Sequence, residues 1–213
     1  MGVTERRARE KEALSEAILD AASELIVKEG PQNLSIRKIA EKIEYAPSTI
    51  YLYFEDKHAI LAGICIRFFE DLLERLNQIR ENTPDPAESL RAGLRCYIDF
   101  ALQNPTRYQV AFLSVPTPEL TPDHPICVAI HQAGFTALDC LGQGIGAAME
   151  AGVIEPGDPV LKAFNTWLAL HGLTAGIITM REYDATGWPD TDALVNGHVE
   201  MIMRGLGEII VRN

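Results

Sequence analysis

Residues 35–57 read SIRKIAEKIEYAPSTIYLYFEDK, two short helical patterns hinged on three residues. Ser35 is placed to cap the first, whose inward face is Ile36, Ile39, Ala40 and Ile43. The link is Glu44-Tyr45-Ala46. Pro47 suits a first helical position, so the second helix is expected from Pro47 to Phe54. Two helices joined this way form a helix-turn-helix, in which the second enters the DNA major groove and the first braces it. Ile50 and Phe54, four apart, are expected to face the core. Ser48, Thr49, Tyr51, Leu52 and Tyr53 are left facing outward. Hydroxyls at this density suit phosphate oxygens and base edges. Arg37 and Lys38 open the bracing helix. Lys57 opens the next, where backbone N–H groups attract phosphate.

Helical periodicity extends in both directions. Before the motif, residues 9–29 carry Leu14, Ile18, Ala21, Ala22, Leu25 and Ile26 on one face, stopped by Gly30. After it, helices are expected over 57–80, 87–103, 106–113, 126–151, 160–181 and 190–211. The run Asn82-Thr-Pro-Asp-Pro86 is a break, and residues 116–125 hold four prolines and form a loop. Strand signals are scarce. The expected fold is all-α, with about nine helices. It divides into a helix-turn-helix domain over 1–56 and an effector-binding and dimerisation domain over 57–213.

Composition bounds the function. The 213 residues include 19 basic and 30 acidic, for a net charge of −11, with 47% hydrophobic and 23% charged. Those fractions suit a soluble globular chain that needs no disulfide or metal staple. The acidity argues against non-specific coating of nucleic acid but not against a small reading module. Cys65, Cys96, Cys127 and Cys140 lack metal-ligand spacing and read as small buried residues of a cytoplasmic protein. No signal peptide is expected behind the charged first residues. Residues 163–180 lack charge but are too polar and short to span a membrane readily. His124, His131, His171 and His198 are scattered, so no metal site is expected. No nucleophile elbow or phosphate-binding glycine loop is present, so neither enzyme activity nor a cofactor is expected.

The pattern Ile18-Leu-x-Ala-Ala22, Leu25, Gly30, Ser35-Ile-x-x-Ile-Ala40, Ser48-Thr-Ile-Tyr-x-Tyr-Phe54 and Lys57 resembles the DNA-binding domain of the TetR family of transcriptional regulators. The resemblance covers residues 9–61. It implies that Arg37, Pro47, Ser48 and Thr49 approach base edges and that Tyr51 touches a base edge or a thymine methyl. It also implies that Ser35, Leu52 (through its backbone), Tyr53 and Lys57 sit on phosphates. Two positions depart from the pattern. Glu44 stands where the turn usually has Gly, so it must adopt a positive φ or the turn is altered. Ala46 stands where Ser or Thr is usual and forfeits a side-chain cap. The motif is also weakly basic, since Arg37, Lys38, Lys42 and Lys57 are matched by Glu41, Glu44, Glu55 and Asp56. A shallow salt dependence of DNA binding is therefore expected, about 0.9 in slope per neutralised phosphate.

One reading unit contacts too little DNA, so a two-fold dimer is expected on a palindrome. In the last two helices His198, Ile202, Leu206 and Ile209 recur at helical spacing, with Gly197 and Gly205 permitting close approach. They form either the dimer face, as the resemblance implies, or an internal core pair. Trp167-Leu-Ala-Leu-His-Gly172 resembles the Trp…His-Gly element of one TetR subgroup. Trp167, His171 and Thr174 share a helical face that could line a ligand pocket, with Tyr97, Phe100, Tyr108, Phe112 and Phe135 as aromatic walls. Alternatively these residues are core. The resemblance implies a ligand-responsive homodimer, a repressor released from operator DNA by a small-molecule effector. A ligand favouring the DNA-competent state would instead make a co-repressor-dependent regulator or an activator. The competing reading is a helical carrier or enzyme whose N-terminal unit is only structural.

Overall fold

The computed structural model describes residues 2–113, 121, 123–180 and 187–207. Nine α-helices and no strand are present among the described residues. They are α1 (Val3–Glu29), α2 (Ile36–Lys42), α3 (Pro47–Ile50), α4 (Lys57–Asn82), α5 (Pro86–Gln103), α6 (Pro105–Tyr108), α7 (Pro125–Glu150), α8 (Pro159–Met180) and α9 (Thr191–Gly205). A 3-10 turn, Pro31–Asn33, joins α1 to α2, and a π-helical turn, Gln109–Leu113, prolongs α6. The chain gathers into two compact units. One is Met1–Phe68 with Thr106–Ala133, and the other is Phe69–Pro105 with Gly134–Asn213. No described helix is long and apolar enough to cross a membrane.

Helix α1 starts six residues before the expected Arg9. Its N-terminal residues suit a helix: the Glu5 carboxylate accepts from the Gly2 N–H at 2.9 Å, and Arg6 pairs with Glu10 one turn on. Ile18, Ala21, Ala22 and Ile26 are buried as the periodicity requires, and the Gly30 N–H closes the helix on Ile26 O at 2.8 Å. With Ile39, Ala40, Ile50, Ile60 and Ile64 they form the core of the first unit. Leu14, Leu25, Ile36, Ile43 and Phe54 pack around it. A Cβ at Gly63 would stand 2.9 Å from Leu19 Cδ2 and 3.1 Å from Phe54 Cε1, so glycine there lets α4 lie against α1.

The helix-turn-helix differs from expectation in length. Helix α3 ends at Ile50 rather than Phe54. The chain then tightens, with Leu52 N–H bonded to Thr49 O at 3.2 Å and Tyr53 N–H to Ile50 O at 2.9 Å. These i to i+3 bonds replace the α-helical pattern. Ser35 caps α2 as expected, accepting from Lys38 N–H at 3.3 Å. Asp56 caps α4, accepting from Ala59 N–H at 2.8 Å.

The link resolves the Glu44 alternative. Glu44 has φ 61°, the only non-glycine residue at positive φ among the described residues. Its N–H bonds Glu41 O at 3.3 Å and the Tyr45 N–H bonds Ala40 O at 2.9 Å. That is a Schellman closure of α2 with a carboxylate where glycine is the unstrained choice. Left-handed backbone costs an ordinary residue about 1–2 kcal/mol. Part of this is offset because glycine has more unfolded freedom to lose. Glu44→Gly is therefore expected to raise stability by about 0.5–1 kcal/mol in urea unfolding. An unchanged midpoint would mean the turn holds no strain.

In the second unit Asp85 caps α5 through Glu88 N–H at 2.9 Å, and Asp190 caps α9 through Ala193 N–H at 2.9 Å. Leu90, Leu94, Tyr97, Ile98, Phe100, Ala163, Leu170, Ile177, Val195, Val199, Ile202 and Met203 are buried. The final helix ends at Gly205, short of the expected Val211. Gly207 takes φ 83°, and its carbonyl accepts from Glu155 N–H at 3.0 Å. A reversal of this kind stops a helix and suits glycine.

Candidate nucleic-acid interface

Burying Ile50 turns the rest of α3 and its tight extension outward. Pro47 and Ser48 are exposed, Tyr51 is 57% exposed and Leu52 77%. Thr49 is half-buried. Arg37 is exposed at the start of α2. Such apolar and aromatic exposure is not needed to hold a three-helix core, and it gives a ridge of hydroxyls, one guanidinium and one aromatic ring. Tyr53 departs from its expected outward setting. It is half-buried and packs against the core beside Phe54, because the tightened turn after Ile50 rotates it inward. Lys57 is half-buried at the first position of α4.

Charge at this surface is sparse. Lys38 Nζ donates to Glu29 Oε2 at 2.7 Å and to Asn33 O at 3.1 Å, and Lys42 Nζ pairs with Glu24 at 2.7 Å. Both lysines brace α2 against α1. The hydrogen bond from Lys38 holds the Glu29 carboxyl below its ordinary value. Asp56 is also held low, chiefly by the Ala59 N–H, with burial opposing and His58 assisting. Its negative charge sits beside Lys57 at the start of α4. The sequence carries the signal for this cap, since an Asp stands immediately before an apolar helical run. Tyr45, 49% exposed on the link, extends the aromatic surface and went unrecognised in the sequence.

Arg107 ties α6 to α1, and no sequence pattern marks it. Its Nη2 donates to Glu16 at 2.6 Å and to Asp20 at 2.7 Å. Burial works against the guanidinium, but the bonds to Glu16 and Asp20 outweigh it and raise its pKa. Arg67 reaches Glu12 and Glu16, each at 3.0 Å. Charged forks thus join α1, α4 and α6.

Residues 18–64 match the family described as bacterial regulatory proteins, tetR family, and residues 90–202 match a tetracyclin repressor-like C-terminal domain. The chain belongs to the TetR family. YobS of Bacillus subtilis (strain 168), an uncharacterized HTH-type transcriptional regulator, is 29% identical over 114 residues, 52% of this chain and 59% of YobS. The chain thus spans little more than half the length of that relative. Among solved structures, the fatty acid degradation regulator FadR from Bacillus halodurans superposes with a TM-score of 0.77 at 19% identity. That superposition covers 92% of this chain and 97% of FadR. AibR, solved with isovaleryl coenzyme A and operator DNA, superposes at 0.67 and 23% identity, covering 88% and 96%. Both share the all-α TetR fold.

The residues expected to line a TetR effector pocket are distributed over both compact units. Tyr97 and Phe100 are buried in the second unit, with the Arg75 guanidinium 4.8 Å from the Phe100 ring centre. Trp167 and His171 stack, their rings 5.4 Å apart and 30° from parallel. Burial pushes the His171 pKa down and favours its neutral form. Thr174 is buried, its hydroxyl donating to Leu170 O at 2.8 Å, so its bonding is met within its own helix. Tyr108 and Phe112 belong to the first unit, where they pack edge-on against Phe68. Phe135 is 61% exposed, on the same strip of α7 as the exposed Val128 and Gln132.

The expected dimer residues divide similarly. Gly197 and Gly205 are exposed with open space around them, and Gly197 lines a shallow groove with Asn196, Glu200, Met201 and Arg204. Ile202 and Leu206 instead face their own chain's core, and the His198 ring meets Ala169 O at 3.0 Å. The helical period puts Met201, not Ile202, on the strip with Gly197 and Gly205. On α8 the exposed large apolar residues are Val160, Leu161, Phe164, Leu168 and Met180, of which Leu161, Phe164 and Leu168 are three and four apart. Ile209 lies outside the described residues. Among the described residues no group of three His, Cys, Asp or Glu could hold a metal ion.

Proposed function

We propose that this TetR-family chain is a homodimeric transcriptional repressor of the cytoplasm, released from a palindromic operator by a small-molecule effector, with no catalytic role. The observation that carries the reading is the exposed Arg37, Pro47, Ser48, Tyr51 and Leu52 surface, raised on a helix-turn-helix by the burial of Ile50. Helix-turn-helix proteins read base edges with the first residues of this second helix. Residues 1–56 are assigned to DNA and 57–213 to the effector and the partner subunit. Two subunits would meet through the exposed strips of α8 and α9: Leu161, Phe164, Leu168, Gly197, Met201 and Gly205. A ligand in the second unit would act through α4, which starts in the DNA-binding unit and continues past its end at Phe68. Such coupling is a difference in affinity between two states, about 1–3 kcal/mol.

The test is selection of duplexes from a random pool, in the presence and absence of isovaleryl coenzyme A, the molecule seen with AibR. An enriched palindrome with half-sites about one helical turn or a multiple apart is expected. A folded dimer that enriches nothing in either condition would favour the carrier or enzyme reading.

A further inference from the structure

We propose that Glu44 limits the affinity of the reading head for DNA by placing an unpaired carboxylate against the phosphate backbone. The proposal rests on the DNA-binding reading above. Glu44 is exposed, and its side chain makes no hydrogen bond or ion pair among the described residues. The Schellman closure fixes its backbone through Glu41 O and Ala40 O, so it cannot swing away with the link. It stands three positions before Pro47, a span of at most about 11 Å even when fully extended. Pro47 opens the helix that approaches the DNA, so the Glu44 charge adds negative potential at the reading surface, screened over about 10 Å at 0.1 M salt.

Its neighbours do not neutralise it. Lys38 is held by Glu29 and Lys42 by Glu24, each at 2.7 Å. A residue in strained left-handed backbone, where glycine would be unstrained, persists when its side chain has a use. Here the use is repulsion. A head that binds its operator moderately can be released by an effector of modest coupling, whereas a tighter one cannot. One like charge at about 10 Å in water is worth roughly a twofold change, and a dimer carries two.

Glu44→Gln removes the charge and keeps the strained backbone, whereas Glu44→Gly removes both. Binding of each to the selected operator and to a random duplex is measured by fluorescence anisotropy from 50 to 300 mM salt. Both variants are expected to bind both duplexes about 2- to 4-fold more tightly at 50 mM salt, with the gain shrinking as salt rises. A gain in Glu44→Gly alone would assign the effect to turn geometry and overturn the proposal. Loss of operator binding with random binding intact would make Glu44 a base reader and overturn it equally. So would two variants indistinguishable from wild type. A wild-type chain that retains no duplex overturns the DNA-binding reading itself, which is a separate result.

Discussion

Replacing Phe68 by alanine is expected to destabilise the protein by about 3–5 kcal/mol, lowering the unfolding midpoint by roughly 10 °C. Phe68 is fully buried on α4. Its ring meets Tyr108 edge-on at 6.0 Å and Phe112 at 5.9 Å, and those two rings lie 4.9 Å apart. Tyr108 is itself fully buried, so nothing flexible is at hand to refill the hole. The large end of the range applies because the lost ring also forfeits two edge-to-face contacts. Phe68→Leu conserves most of the volume and should cost far less. Thermal unfolding of the two variants checks the claim. A Phe68→Ala protein within about 1 kcal/mol of wild type would show that the site collapses around the cavity and that the three rings do not act as a rigid cluster.

How far the sequence disclosed this architecture can be traced residue by residue. The helix-turn-helix was readable because Ser35, Pro47 and the apolar positions Ile39, Ala40 and Ile50 obey local rules of capping and period. Glu44 was readable through the family resemblance, whose turn usually has Gly there, as either a positive φ or an altered turn, and its φ of 61° decides for the first. Tertiary facts were not readable. Tyr53 turns inward because i to i+3 bonds tighten the chain after Ile50, and that choice depends on how the helix packs. Phe112 and Tyr108 share a period with plausible pocket walls, yet their partner, Phe68, lies some forty residues earlier. Ile202 and Met201 are adjacent and both apolar. Which of them faces the chain's own core depends on the rotation of α9 against its neighbours, and no single-helix pattern sets that. Arg107 pairs with Glu16 and Asp20 across a long loop closure, so spacing could not reveal it.

Arg37→Ala combined with Tyr51→Ala is expected to weaken operator binding about 30- to 10⁴-fold while leaving the unfolding midpoint nearly unchanged. Two lost base-edge contacts at about 1–3 kcal/mol each set that range. The stability half follows from exposure. Both side chains face solvent, and surface substitutions away from caps and cores shift stability by no more than about 0.5 kcal/mol. A loss of binding without a loss of fold therefore separates a reading surface from a structural one. The single variants divide the roles. If Arg37 reaches a base edge, Arg37→Ala relaxes the preference at one position of each half-site and keeps the salt slope. If it sits on a phosphate, the preference is kept and the slope falls by about 0.9 per head. Lys57→Ala should behave in the second way. Selection from a random pool, repeated with each variant at two salt concentrations, gives both readouts. A double variant that binds the wild-type operator with undiminished affinity and preference would remove α2 and α3 from the interface. The exposed Tyr51 and Leu52 would then need another partner.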